Sequence, residues 1–583
     1  MNLETISPPQ PAQSVAASTA PSKARASLPS SILVATAIVF VLVRALPILS
    51  FPMGNDQGTY LTIGRGLLDG KLLYRDLWDN KPPGIFIAYA GIAKLFGRVM
   101  WSAAAVDILL LLVISYLLFR FTEPYVGRSG AAIAVMVHAS MHGEMMYFWI
   151  AQPETFQVVC VLAGYLLVAR PGRLWALNCF VAGFLLGYAC WLKYNAIAFL
   201  PFLALLPYLD SSGLDWRPPR FSLTIPWRDW FMKVAVLLAG LAAAAAIVLA
   251  WIVLRGAWPA MREAQFEVLP RYAAMAVQRR PHYFLSAFAR TNYWLGAWNL
   301  WAALAGLVLA WLRRDLKRFA PIFLAASVAY IATVMQVRFH DYYFQTCYPF
   351  CAAIWAYLAV CAFEGVLTLA RSFMGRGWKL AAGLVWIVFA QALFWPLPGQ
   401  FNELAMRYEE LREWQIDPVA FYSNYPRQLP FEHFDREFET IDYLQRNAKP
   451  SDPIYVWSYK CQIYYLTGHG PPTRFVSNLG IISLWSLPSW RGELMRDLSK
   501  ARPRFIVVAR GDELHTLTYV NLDSDQYLKT FPELASLMTN NYEVAADFDA
   551  FVVYRRIERD SDAHQGGLQG LPGEQGRRSR TGG

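Results

Sequence analysis

The chain has 583 residues, of which 56% are hydrophobic, 15% aromatic and only 16% charged, with a formal net charge of +11. Soluble domains carry about 25% charged residues, and here the apolar excess falls in blocks of about 20 residues, enough to span a hydrocarbon core of ~30 Å. A soluble enzyme is excluded. So is a nucleic-acid partner, because much of the positive charge sits in short loops between apolar blocks, where Lys and Arg set membrane orientation.

Residues 1–28 are rich in Ser, Ala, Pro and Gln and carry Lys23 and Arg25, the composition of a disordered cytoplasmic tail. The apolar block at about 30–50 is too long for a signal peptide, and no small-residue cleavage pattern follows it. It reads as an uncleaved first span. Residues 51–84, FPMGNDQGTYLTIGRGLLDGKLLYRDLWDNKPPG, are polar and turn-rich, and far longer than an ordinary helix–helix connection. The apolar run after KPPG is short and carries Lys94, so it is expected to lie in the membrane interface. It closes a loop region over 51–100.

Further spans are expected at about 101–120, 130–148, 153–169, 174–192, 195–209, 233–254, 292–312, 318–336, 342–364 and 379–396. With the KPPG helix interfacial, the basic loops at 120–128, 170–173, 209–233, 312–318 and 365–379 all fall on the inside, and the Lys- and Arg-free loop at 142–153 falls outside. The reading is about 11 transmembrane helices over 29–396, with the N-terminus inside and the C-terminus outside. A second long outward loop, 255–291, carries Arg262, Glu263, Glu267, Arg271, Arg279 and Arg280, as a lid or second wall of a site would.

From 397 to 557 charged and aromatic residues mix. A helix is expected over 431–447, with Phe434, Phe438, Ile441 and Leu444 on one face. Buried strands are expected at 453–459, 504–510 and 551–556. These make a small C-terminal α/β domain on the outer side, followed by a flexible tail, 558–583. The seven cysteines form no CxxC pair, and six lie in or beside apolar blocks, so a disulfide framework is not expected.

The polar residues with chemical potential collect at one membrane face. Asp56, between Gly54 and Gly58, suits a general base at the membrane surface; as part of Asn55-Asp56 before a helical run it equally suits a helix cap. Lys81 is held by Pro82-Pro83-Gly84 in an extended backbone. It suits a phosphate, or is an interfacial snorkelling lysine. Lys193, in GYACWLKYN, sits at the same depth, as do Glu154 in AQPET and Arg338, His340, Asp341 and Tyr342 in VRFHDYYFQ. Arg44 and Asp107 each lie ~10 Å inside a span and are expected to pair. No HExxH, paired CxxC, P-loop or dinucleotide fingerprint is present, and the DxD-like triplets at Asp523/Asp525 and Asp547/Asp549 read as solvated surface.

Asp56 after the first span, Tyr60, the Gly66–Gly70–Tyr74 run and Asp79-Asn80-Lys81-Pro82-Pro83-Gly84 resemble the first outer loop of the protein mannosyltransferase superfamily. That group includes the bacterial aminoarabinose transferases of lipid A and the rhizobial galacturonosyltransferases of lipopolysaccharide core. The resemblance covers roughly residues 30–400, and IYYLTGHGPPTRF (463–475) has the look of one subgroup. It implies a GT-C fold in a bacterial inner membrane, with the C-terminal domain periplasmic. It also implies a glycosyltransferase moving a sugar from a polyprenyl-phosphate carrier to a lipopolysaccharide, another glycolipid or glycan, or a protein.

In that frame Asp56 and Glu154 are the catalytic acids, and Lys81, Lys193 and Arg338 hold the donor phosphate. Tyr60, Tyr74, Trp78, Asp79, His340 and Tyr342 line the substrate. The family's first loop has an Asp-Glu pair where this chain has Asp56-Gln57, and one branch has a metal-binding Glu where this chain has Asn80. No metal ligand is therefore assigned; no cofactor is certain, and a divalent metal stays open with weak support. The lipid phosphate leaves as a stable anion, so positive charge where that anion develops is what the reaction needs. The rival is a transporter or flippase of lipid-linked sugars, which predicts inverted repeats and a midplane polar site. The sequence has no repeat, and its polar residues gather at one face.

Overall fold

Apolar blocks become helices here because a helix satisfies its backbone hydrogen bonds within one segment, as hydrocarbon demands. The computed structural model describes residues 30–144, 146–170, 172–209, 214–217, 220–223, 225–278, 289, 292–336, 340–373, 397–425 and 432–558. The expected span at 379–396, Arg279, Arg280, Arg338, the tail 1–28 and all but the first residue of 558–583 lie outside the described residues.

The first helix, α1 (Ser30–Ala45), runs into a 3-10 turn, Leu46–Ser50. The first loop then folds into α2 (Asn55–Leu68) and α3 (Pro83–Phe96). At 14 residues α3 is ~21 Å long, short of a span. Next comes α4 (Ser102–Gly143), broken at Gly127, whose φ of 74° and ψ of 172° only glycine adopts without strain. The break coincides with the loop expected at 120–128.

The bundle continues through α5 (Pro153–Val168), α6 (Trp175–Leu192), α7 (Leu200–Leu209) and α8 (Trp227–Leu254). A small antiparallel hairpin, β1 (Leu214–Arg217) and β2 (Arg220–Leu223), lies between α7 and α8. Among the described residues five helices are long and apolar enough to cross a membrane: Ser30–Ser50, Ser102–Gly143, Trp175–Leu192, Trp227–Leu254 and Tyr348–Thr368. Shorter apolar helices, among them Ala297–Leu312 and Arg318–Val334, pack against the last of these.

Close approach of backbones sets the tightest helix pair. A Cβ at Gly183 would overlap the Leu237 carbonyl, and one at Gly240 the Phe180 carbonyl. Small residues at the α6–α8 contact thus let dispersion and the Trp191 indole bond to the Ala244 carbonyl (3.2 Å) hold the helices, as membrane packing requires.

The expected Arg44–Asp107 pair does not form. Asp107 Oδ2 meets His142 Nε2 at 2.7 Å, and its Oδ1 accepts from the Ala151 amide at 2.7 Å. Arg44 Nη2 donates to the Ser140 carbonyl at 3.2 Å. Equal depth along two helices does not fix which way each side chain is rotated. Asp107 serves the turn at Ala151, where φ is 46°, a costly value for a residue with a Cβ. Tyr89 Oη donates to the Ala151 carbonyl at 3.0 Å. Together they hold the turn that delivers Gln152 and Glu154.

The C-terminal segment carries a four-stranded sheet, ordered β3 (Ile454–Trp457), β4 (Phe505–Ala509), β6 (Phe551–Arg556), β5 (Tyr542–Asp547). The β3–β4 pair is parallel and the other two are antiparallel. Both faces of β3 and β4 are covered, so these strands read as unbroken apolar runs. β5 was not expected: it is a half-exposed edge with Glu543 and Asp547, and its pattern is not apolar. The helix Phe434–Asn447 packs Ile441 and Leu444 on one face of the sheet.

Candidate active site

Gly54, in extended conformation, is the N-cap of α2, and no side chain caps it. Asp56 lies in the first turn, where a carboxylate is favoured by the helix dipole. It is not spent on capping. Its Oδ1 accepts from Tyr459 Oη at 2.8 Å and from Lys81 Nζ at 3.4 Å, and its Oδ2 accepts from Gln152 Nε2 at 3.3 Å. Burial would raise its pKa, but the Lys81 ammonium and these hydrogen bonds outweigh burial and hold it below the usual carboxylate range. Lys81 answers in kind. Burial works against its charge, yet Asp56 and Asp79 raise its pKa.

A cavity of about 680 Å³ opens beside this pair. Asp56, Lys81, Lys193, His340, Asp341 and Tyr342 form its polar side. Leu269, Ala273, Met335, Leu514 and Leu517 form an apolar wall. Tyr459 and Glu432 reach it from the C-terminal segment.

Lys193 is the C-cap of α6, in extended conformation. Its carbonyl is held by Gln157 Nε2 at 2.9 Å, and its Nζ meets Glu154, Gln336 Oε1 (2.7 Å) and the face of Tyr343 (3.5 Å to the centroid). Burial pulls its pKa down to about 8 despite the Glu154 charge. Glu154 is fully buried and is not on the cavity wall. Its assignment as a second catalytic acid gives way to a counter-ion that orients Lys193.

Four residues expected to line substrate lie behind the wall instead. Tyr60 and Tyr74 are fully buried. Tyr60 Oη donates to Gln152 Oε1 at 3.3 Å, and Lys81 Nζ stands 5.0 Å over its ring. Tyr74 Oη donates to the Lys81 carbonyl at 2.8 Å. Trp78 packs among Phe475, Trp485 and Trp490. Asp79 Oδ1 accepts from the Lys81 amide at 2.8 Å, and burial raises its pKa. The cause is docking: the Trp78 amide donates to the Arg474 carbonyl at 2.6 Å, so the C-terminal segment covers a face that looks open in the isolated loop. These residues shape the backbone of Lys81 and do not face the cavity.

Three residues without a sequence signal complete the site. Gln152, Tyr459 and Gln265 are ordinary polar residues beside apolar runs. Gln265 Nε2 reaches the carbonyls of Asn80 and Lys81 at 3.3 Å each. Arg474 ties Glu263 (2.9 Å) to Glu493 (2.6 Å), joining the second long loop to the C-terminal segment.

Gln57 and Asn80 do not build a metal site. Gln57 is buried, and its Nε2 donates to the carbonyls of Phe148 (3.1 Å) and Ile150 (2.7 Å). Asn80 is likewise an amide. Among the described residues no three His, Cys, Asp or Glu side chains gather into a group able to hold a metal ion. An acid at 57 would face two carbonyls with no donor. Gln57→Glu is therefore expected to destabilise the protein by about 2–3 kcal/mol, read as a lowered thermal unfolding temperature in detergent.

Residues 80–253 match the family model described as dolichyl-phosphate-mannose-protein mannosyltransferase. ArnT from Cupriavidus metallidurans bound to undecaprenyl phosphate aligns over 90% of this chain and 98% of its own, at 16% identity and a TM-score of 0.50. Its apo state aligns over 90% and 97%, at 15% identity and a TM-score of 0.51. Archaeal oligosaccharyltransferase AglB from Archaeoglobus fulgidus, in complex with an inhibitory peptide and a dolichol-phosphate, aligns over 81% and 69%, at 13% identity and a TM-score of 0.41. No curated protein matches the chain. The helical membrane body with its small C-terminal sheet is the GT-C fold.

Proposed function

We propose that this chain is a multi-pass inner-membrane glycosyltransferase that moves a sugar from a polyprenyl-phosphate carrier to a glycolipid, glycan or protein acceptor on the periplasmic side. The observation that carries the reading is one cavity holding a paired carboxylate and two lysines against an apolar wall. The lysines suit a lipid phosphate, the wall suits its isoprenoid chain, and Asp56 suits an acceptor hydroxyl. The likeness to ArnT and the family match at 80–253 support the same donor class.

The acceptor oxygen attacks the anomeric carbon as the carbon–phosphate-oxygen bond breaks, with inversion. Asp56 orients the hydroxyl and takes its proton, and the phosphate leaves with the bonding pair. Lys81 and Lys193 hold the charge that develops there. At 3.4 Å the Lys81–Asp56 contact is loose enough for an entering phosphate to share Lys81. Glu154 positions Lys193, and Arg338 would add a third cation. The domain limits 29–396 and 397–557, with the N-terminus cytoplasmic, belong to the same proposal.

Membranes containing the protein are expected to release free polyprenyl phosphate from a polyprenyl-phosphate sugar and to glycosylate an added membrane acceptor fraction. Movement of the intact lipid-linked sugar between leaflets, with no release of lipid phosphate, would instead establish a flippase.

A further inference from the structure

Tyr459 lies more than 400 positions from Asp56 in sequence, yet makes the shortest of the three hydrogen bonds to that carboxylate. It is buried, on the cavity wall, two residues past the end of β3. Its neighbours are clamped to α2. Thr62 Oγ1 donates to the Cys461 carbonyl at 2.8 Å. Gln462 lies so close over Gly58 that a Cβ there would come within 2.6 Å of its Oε1. Lys460 is buried between Glu432 and Glu437, and Glu432 accepts from Asn55 at 3.4 Å. The residues that follow Tyr459 are therefore tied to the helix that carries Asp56, Cys461 and Gln462 directly and Lys460 through Glu432.

We propose that Tyr459 is a positioning residue for the transfer, fixing Oδ1 of Asp56 so that the carboxylate meets the acceptor hydroxyl in one orientation. The inference rests on Asp56 being the acceptor base. When a donor phosphate draws Lys81 toward itself, Tyr459 remains as the donor on Oδ1, with Gln152 still on Oδ2. Burial and the Asp56 charge keep the phenol protonated, so it acts only as a donor. The sheet-bearing segment thereby supplies the shortest hydrogen bond to a carboxylate carried by the helical bundle.

Other groups sense the charge of Asp56. Lys81 and Asp79 do so from the loop, Tyr60 from α2 and Tyr89 from α3. Glu154 and Lys193 do so from α5 and the end of α6, with Tyr342 across the cavity and Cys461 next to Tyr459. Glu432 reaches the same corner through Asn55. Of the titratable groups, Lys81 and Tyr459 alone are hydrogen-bonded to the carboxylate among the described residues.

The test is Tyr459→Phe in the full-length protein, with purified polyprenyl-phosphate sugar as donor and a saturating acceptor fraction. Turnover is expected to fall roughly tenfold, the low end for a hydrogen bond to a charged group, with donor KM within about twofold of wild type. Losing a donor raises the carboxylate pKa, so the acidic limb of kcat/KM should move up by about one pH unit. Partial recovery in Tyr459→Gln, which restores an N–H donor, would support the role. An unmoved acidic limb, with or without lost turnover, overturns it while an inactive Asp56→Asn enzyme leaves the base assignment standing. Wild-type turnover in Asp56→Asn overturns both. Should Tyr459→Phe unfold, Tyr459→Gln carries the test: a folded Gln variant as inactive as Asp56→Asn counts against the inference.

Discussion

Asp56→Asn is expected to lower sugar transfer by at least about a hundredfold, within the ~10²–10⁴ that general-base catalysis contributes, with donor KM little changed. Asparagine is nearly isosteric, and its amide oxygen still accepts from Tyr459, so the fold should survive. What it lacks is the ability to take a proton and the charge that holds Lys81. In wild type the carboxylate is ionised at neutral pH because Lys81, Tyr459 and Gln152 overcome its burial. The reading therefore demands activity that persists to low pH and falls only as Asp56 is protonated. The check is turnover of Asp56→Asn beside wild type, at matched expression and thermal stability; equal rates would end the base assignment.

Lys81→Met is expected to cost about 10²–10³-fold in turnover, as loss of a charge aimed at a developing anion does. It also leaves Asp56 buried without its cation, so the Asp56 pKa rises and the acidic limb of the rate profile moves to higher pH. Two readouts, turnover and limb position, then separate Lys81 from a passive interfacial lysine, whose removal would move neither. Lys193 adds an alkaline signature. Its pKa is lowered to about 8, so its charge is lost as the pH passes that value, and donor KM should rise there. A guanidinium stays charged throughout, so Lys193→Arg, if folded, should flatten the alkaline rise. An unchanged alkaline profile would remove Lys193 from the donor site.

Some of this is legible in residues alone. Asp56 and Lys81 lie 25 positions apart in one charged, turn-rich loop, and they meet. Lys193 and Glu154 stand at the ends of two apolar blocks joined by a short basic loop, and they meet. In each case helix length fixes which ends share a membrane face, and charge in a low-dielectric site does the rest. Roles were less legible than places. Glu154 reads as a second acid, but full burial against Lys193 makes it a counter-ion.

The sequence by itself determined a polytopic helical membrane protein, the break near residues 120–128, the buried strands of the C-terminal segment and the face where polar groups collect. All of these follow from local apolar periodicity and from the cost of burying charge. Tertiary structure decided the rest. It turned Trp78 inward under Trp485 and Trp490, gave Asp107 to His142 and the Ala151 turn in place of Arg44, and brought Tyr459 to Asp56. Periodicity says which side of an element is buried. It does not say against what, and a hydrogen bond across about 400 residues exists only once two separately folded surfaces have docked.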